Sequence, residues 1–212
     1  MFRRRRALLV VGMAAPVLAF LAVGIAALTY PGFNNATQYI SDLGGPKARH
    51  PEIFNIAVFI SGGGAMLGGL GFGFSVAALG GSRLAGALTT LCFVLAGVGM
   101  IISSIYPWPD PRHLAINLGL GIQLAPLFLL WGLAPVEGLK ALRRFLVVVC
   151  GVMILLTVLT KHLVFPGLVN DANVGWWERA FAVVLVGWTG VAAYALERRL
   201  VGLVRAELAG PG

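Results

Sequence analysis

The chain has 212 residues, 58% of them hydrophobic and 11% charged, with a formal net charge of +8. Soluble globular domains carry roughly a quarter of their residues as charges, so the composition excludes an ordinary water-soluble fold. Its two cysteines, Cys92 and Cys150, lie inside apolar runs, which excludes a disulfide framework or CxxC redox chemistry.

The apolar residues fall into blocks at 7–29, 56–79, 84–105, 114–134, 145–165 and 179–196. Each is about 20 residues long, enough to cross ~30 Å of hydrocarbon. Lipid offers no partner to an unpaired backbone group, so the blocks are expected to be helices. The sequence therefore predicts an all-α, polytopic membrane protein. Its six transmembrane helices form one domain over residues 1–212, arranged as three hairpins.

The first block follows Arg3 to Arg6. Its apolar stretch exceeds the h-region of a signal peptide, and no small-x-small cleavage motif precedes Tyr30, so it reads as a retained helix. Tyr30-Pro31 then opens the longest loop. There Asn35 to Gln38 resembles a capping box that starts a short helix through Leu43, with Gly44-Gly45 as its stop. Tyr39, Ile40 and Leu43 would give that helix one apolar side, to lie on the membrane surface. Pro51 suits the first position of the second helix, with His50 at its cap. Inside that helix Gly64/Gly68 and Gly69/Gly73 have the small-xxx-small spacing that lets helices approach closely in lipid. Packing within the chain is the first reading of these glycines, and a homo-oligomer face the second.

After the third block comes "SSIYPWPDPRHLAIN" (103–117), which places three prolines, an Asp, an Arg and a His in seven residues. Asp110-Pro111 is a helix-start pair, and a carboxylate there also suits the helix dipole. On an α-helix Asp110, His113 and Asn117 share one stripe, about 10 Å long, that descends toward the hydrocarbon. Ionisable groups at that depth face protein or water and are functional candidates. Ser103 and Ser104 approach from the third block and His162 from the fifth, where Lys161 is expected in the last turn. The third loop ends on the interfacial pair Trp176-Trp177, followed by Glu178-Arg179. With Ser41 and Asp42, these polar groups cluster at one end. Pro16 and Pro126 are candidate kinks.

Charge sets the orientation. Eleven of the 16 basic residues (Arg3 to Arg6, Arg83, Lys140, Arg143, Arg144, Arg198, Arg199, Arg205) fall on one side of this topology, and five (Lys47, Arg49, Arg112, Lys161, Arg179) on the other. The positive-inside bias puts both termini in the cytoplasm, with anionic lipid headgroups rather than nucleic acid as partners of the basic groups. Preference for Arg over Lys and abundant Ala, Gly and Val suggest a GC-rich bacterial genome, hence the plasma (inner) membrane.

The stretches "YPGFNNATQYISDLGG" (30–45), "PDPRH" (109–113) and "GWWERAF" (175–181) carry a resemblance. Over most of its length the chain resembles the bacterial and archaeal six-span membrane proteins grouped as domain of unknown function 998. The resemblance places Ser41 and Asp42 in that family's Ser-acid-Leu-Gly element, Asp110 and His113 in its Pro-Asp and later His, and Arg179 in its Gly-x-x-polar-Arg element. Glu178 stands where Gln is common. It implies topology and no activity. A weaker resemblance, to the membrane metal-hydrolases that include alkaline ceramidases and adiponectin receptors, would imply zinc held by Ser, Asp and three His, although this chain lacks a seventh span.

Three functions compete. The outward polar groups could form a pocket for a lipid or small amphiphile, lined by Ser41, Ser104, Asn117, Glu178 and Arg179. Alternatively Asp42, Asp110, His113 and His162 are catalytic groups of a lipid hydrolase, with His113 and His162 as zinc ligands. Secondary transport is the third, but Gln123 is the only strongly polar residue near mid-membrane.

Overall fold

The computed structural model describes residues 2–161 and 164–209. Among them there is no strand, and six helical spans are long and apolar enough to cross a membrane. These are α1 (Phe2–Thr29), α2 (Pro51–Ala78), α3 (Arg83–Ile105), a fourth span over Pro111–Gly132, α5 (Lys140–Leu159) and α6 (Val174–Ala209).

The fourth span is not one α-helix. Pro111–Leu124 is a 3₁₀ helix, and only Ala125–Gly132, here α4, is α-helical. Pro126 sits in the first turn of α4, where a missing N–H leaves no bond unmade. It begins the α-helical part of this span instead of kinking it. Helix α5 stops at Leu159, with Thr160 as its cap, so Lys161 lies beyond the last turn in which it was expected.

The six spans close into a ring of neighbours, α1 against α2, α2 against α3, and so on until α6 returns to α1. Glycine makes the tightest contacts. A Cβ on Gly68 would lie 2.9 Å from the α-carbon of Gly12, and one on Gly62 would lie 2.8 Å from the carbonyl oxygen of Gly97. The glycines of α2 thus bring it against α1 on one side and α3 on the other, the use small residues have between helices in lipid. Thr90 adds a hydrogen bond across the second contact, its hydroxyl donating to Gly69 O at 2.9 Å. Phe72, Phe93 and Trp188 stack at the centre of the core, with ring centroids 5.1 to 6.0 Å apart, and so join α2, α3 and α6.

The bundle has two distinct ends. At one, Arg6 of α1 pairs with the buried Glu197 of α6 at 2.6 Å, and the α2–α3 and α4–α5 turns lie close by. At the other end gather the loops that follow α1, α3 and α5. Gly45 packs against the backbone of Trp108, and Gly175 donates from its N–H to Ala36 O at 2.7 Å.

Candidate functional site

The first loop and the start of α6 are built around Arg179. Its Nε donates to Asn35 Oδ1 at 3.0 Å, and its Nη1 to the carbonyls of Gln38 (2.9 Å) and Gly175 (2.8 Å). The guanidinium carbon lies 5.3 Å from the centroid of the Phe33 ring, within cation–π range. Its Nη2 is buried and has no acceptor. Beside it the carboxylate of Glu178 accepts from the Ile40 N–H. Asp42 Oδ2 accepts from the Tyr39 N–H at 2.9 Å, and Asp42 is within Coulombic reach of both Glu178 and Arg179.

Local sequence explains why the loop can present these groups. Asn34, rather than Asn35, forms the Asx turn. Its Oδ1 accepts from the Ala36 N–H, while Gln38 Oε1 accepts from the Asn34 N–H at 2.7 Å. That leaves the Asn35 side chain free for Arg179. The short helix begins at Ile40, so the expected start at Asn35 is corrected by a few residues. Only glycine fits at position 175, because a Cβ there would overlap the carbonyl oxygens of Asn35 and Gln38. At the far side of the loop Asn55 Nδ2 donates to Gly44 O at 3.0 Å and holds the Gly44-Gly45 turn against α2.

The second group sits where α3 ends. Ser103 Oγ donates to His113 O at 2.8 Å, and His113 Nδ1 lies 3.1 Å from both Ser103 O and Tyr106 O, so this nitrogen carries the proton. Ser104 Oγ donates back to Ile101 O within α3. Asp110 accepts from the Arg112 backbone N–H (2.9 Å), its Nε (3.0 Å) and its Nη2 (2.7 Å), and the guanidinium lies 3.6 Å above the Tyr106 ring. The Arg112 side chain, and then its backbone N–H, hold the Asp110 carboxyl down to about 2. The Trp108–Pro109 peptide bond is cis.

The stripe of Asp110, His113 and Asn117 does not form. In a 3₁₀ helix side chains three apart eclipse one another, so Asn117 lies on the ridge of Leu114 and Leu120, 56% and 60% exposed, a third of a turn away from His113. The structure brings Asp42, Glu178 and Arg179 together and ties His113 to Ser103 and Tyr106. Between the two groups, Gly45 packs against the Trp108 carbonyl. Ser41 is half-buried beside Asp42. His162 lies outside the described residues. No three His, Cys, Asp or Glu side chains converge as metal ligands among the described residues. Asn34 and Gly175 escaped the sequence reading as site residues. A polar residue one before the presumed cap, and a glycine four before an arginine, were the available signals.

Fold and loop geometry define an α-helical, multi-pass membrane protein whose long loops are fastened together at one end. The family model described as Protein of unknown function (DUF998) matches residues 13–195, so the chain belongs to that family. Neither the curated proteins nor the solved structures contain a match to it.

Proposed function

We propose that this membrane protein binds the polar end of a lipid or small amphiphile at its loop end, through Asp42, Glu178 and Arg179. In this reading both termini are cytoplasmic, the loop end faces outward, and the membrane is a bacterial plasma membrane. The observation that carries the proposal is the buried, unpartnered Nη2 of Arg179. An unsatisfied donor at the edge of a bilayer is costly, and an acceptor on a ligand that displaces the loop atoms covering it would remove the cost. Glu178 and Asp42 each engage a backbone N–H through one oxygen and keep acceptor capacity on the other. Donor and acceptors side by side suit a headgroup of mixed polarity. Asp110, His113 and Ser103 serve this reading by fixing the shape of the second loop, which meets the first at Gly45 and Trp108.

The hydrolase reading has one observation in its favour. With Nδ1 held by two carbonyls, the Nε2 lone pair of His113 is oriented as in many metal-bound histidines. Among the described residues no three His, Cys, Asp or Glu side chains converge there, and His162, the second ligand this reading needs, lies outside them.

Lipid extraction from the purified chain, paired with native mass spectrometry, tests the binding reading. Wild-type protein should retain a polar lipid or amphiphile. Glu178→Gln keeps an oxygen for the Ile40 N–H, so it should retain the melting temperature and lose most of that ligand. Equal retention by both proteins, or none by the wild type in its native lipid, would count against the proposal.

A further inference from the structure

The end of the bundle away from these loops carries its own unexplained chemistry. Lys140, Arg143 and Arg144 occupy the first turns of α5, and no carboxylate pairs with any of them among the described residues. A helix N-terminus already carries partial positive charge, so three cations there repel both the dipole and one another. Arg143 relieves part of this by donating from Nη1 to Ala134 O at 2.6 Å. Two cavities, of about 470 and 480 Å³, share Lys140 and Arg143 in their walls. The second also includes Glu137 and Gly138. A fourth cation backs onto it, because the Arg199 guanidinium lies against Gly138 and its Nε is buried without an acceptor.

The first cavity continues onto exposed apolar surface. Positions 140, 143, 144, 147 and 148 share one helical stripe, on which Val147 and Val148 are 56% and 62% exposed. Cations at the helix start, with an uncovered apolar track one turn deeper, match the order of charge and chain in an anionic amphiphile. We infer that this surface is a binding site for an anionic phospholipid, its phosphate on Lys140, Arg143 and Arg144 and an acyl chain along Val147 and Val148. The site is separate from the loop-end site and does not depend on it.

The phosphate could come from a lipid or from solution, so the test separates the two. The purified full chain, delipidated in a neutral detergent, is titrated with phosphatidylglycerol, with phosphatidylcholine of the same acyl chains, and with inorganic phosphate, and binding is read by thermal shift. Phosphatidylglycerol should raise the melting temperature well above the other two. Arg144→Gln should weaken its apparent affinity roughly fivefold, and the triple change at Lys140, Arg143 and Arg144 to Gln roughly a hundredfold. Val147→Ser with Val148→Ser should reduce the lipid effect without creating one for inorganic phosphate. Arg144 is exposed, so its single change keeps the test decisive even where the triple variant fails to fold. An equal shift with both lipids, an equal shift with inorganic phosphate, or an unchanged titration of Arg144→Gln would overturn the inference.

Discussion

Ser103 and His113 exchange two hydrogen bonds, the serine hydroxyl donating to the histidine carbonyl and the imidazole Nδ1 donating to the serine carbonyl. The end of α3 and the start of the fourth span are thereby closed on each other, and the imidazole also reaches Tyr106 O. His113→Ala removes the donor to both carbonyls and should destabilise the protein by about 1–3 kcal/mol. Each side chain bonds the other residue's main chain, so Ser103→Ala leaves the histidine's bonds in place, and thermal unfolding in detergent should show the two changes adding to within about 0.5 kcal/mol. A much larger coupling would mean that one change also shifts the other's backbone.

Gly175→Ala should be among the most damaging single-methyl changes in the chain. The added carbon meets the carbonyls of Asn35 and Gln38, which also carry or flank the acceptors of Arg179. Overpacking of this kind costs about 1–3 kcal/mol. The melting temperature should fall, and protease cleavage within residues 30–45 should rise with it.

Arg179→Lys keeps the charge and loses the fork. An ammonium cannot reproduce the Nε bond to Asn35 together with the Nη1 bonds to Gln38 and Gly175. Stability should drop by about 1–2 kcal/mol, and Arg179→Gln should be no worse than Arg179→Lys. If Lys were silent, charge rather than geometry would be what Arg179 supplies.

Asp110 sets a pH window. Its carboxyl is held at about 2, below the ordinary 3.8, so its contribution is complete above about 3.8 and disappears as pH falls through about 2. Asp110→Asn should therefore lower stability at neutral pH and lose less than wild type between those two values. Melting temperatures measured from pH 7 down to pH 2 would check the sign.

The eleven-to-five split of basic residues predicts cytoplasmic termini and an outward loop end. In a background lacking Cys92 and Cys150, Lys47→Cys should react with an impermeant thiol reagent in intact cells, and Ala206→Cys only after permeabilisation. The reverse order would turn the loop end inward and remove the outward site.

The spans were legible because hydropathy alone decides where backbone must be hydrogen-bonded internally, and a 3₁₀ helix meets that demand as well as an α-helix does. For the same reason hydropathy could not reveal that Pro111–Leu124 is 3₁₀, and the Asp110–His113–Asn117 stripe was drawn with the wrong period. Asn35 was misread for a different cause. Its partner Arg179 is 144 residues away, and a local cap was the nearest use for an Asn followed by a Gln. Glu178 and Arg179 could equally have paired only with each other, and nothing in their own neighbourhood says that the first loop closes over them. Long-range pairing in a loop leaves no periodic trace.

The 3₁₀ stretch also changes how far the fourth span reaches. Such a helix rises about 2.0 Å per residue against about 1.5 Å for an α-helix. Over its 14 residues that amounts to about 28 Å instead of about 21 Å. Rewinding it into an α-helix would draw the second loop about 7 Å toward α4, while the His113–Ser103 clasp resists the movement. Bilayer thickness is therefore expected to bear on this span more than on its neighbours, with thinner membranes favouring the shorter winding. Distances between spin labels at Trp108 and Trp131, compared in short-chain and long-chain lipids, should contract in the former while the corresponding distances along α2 stay fixed.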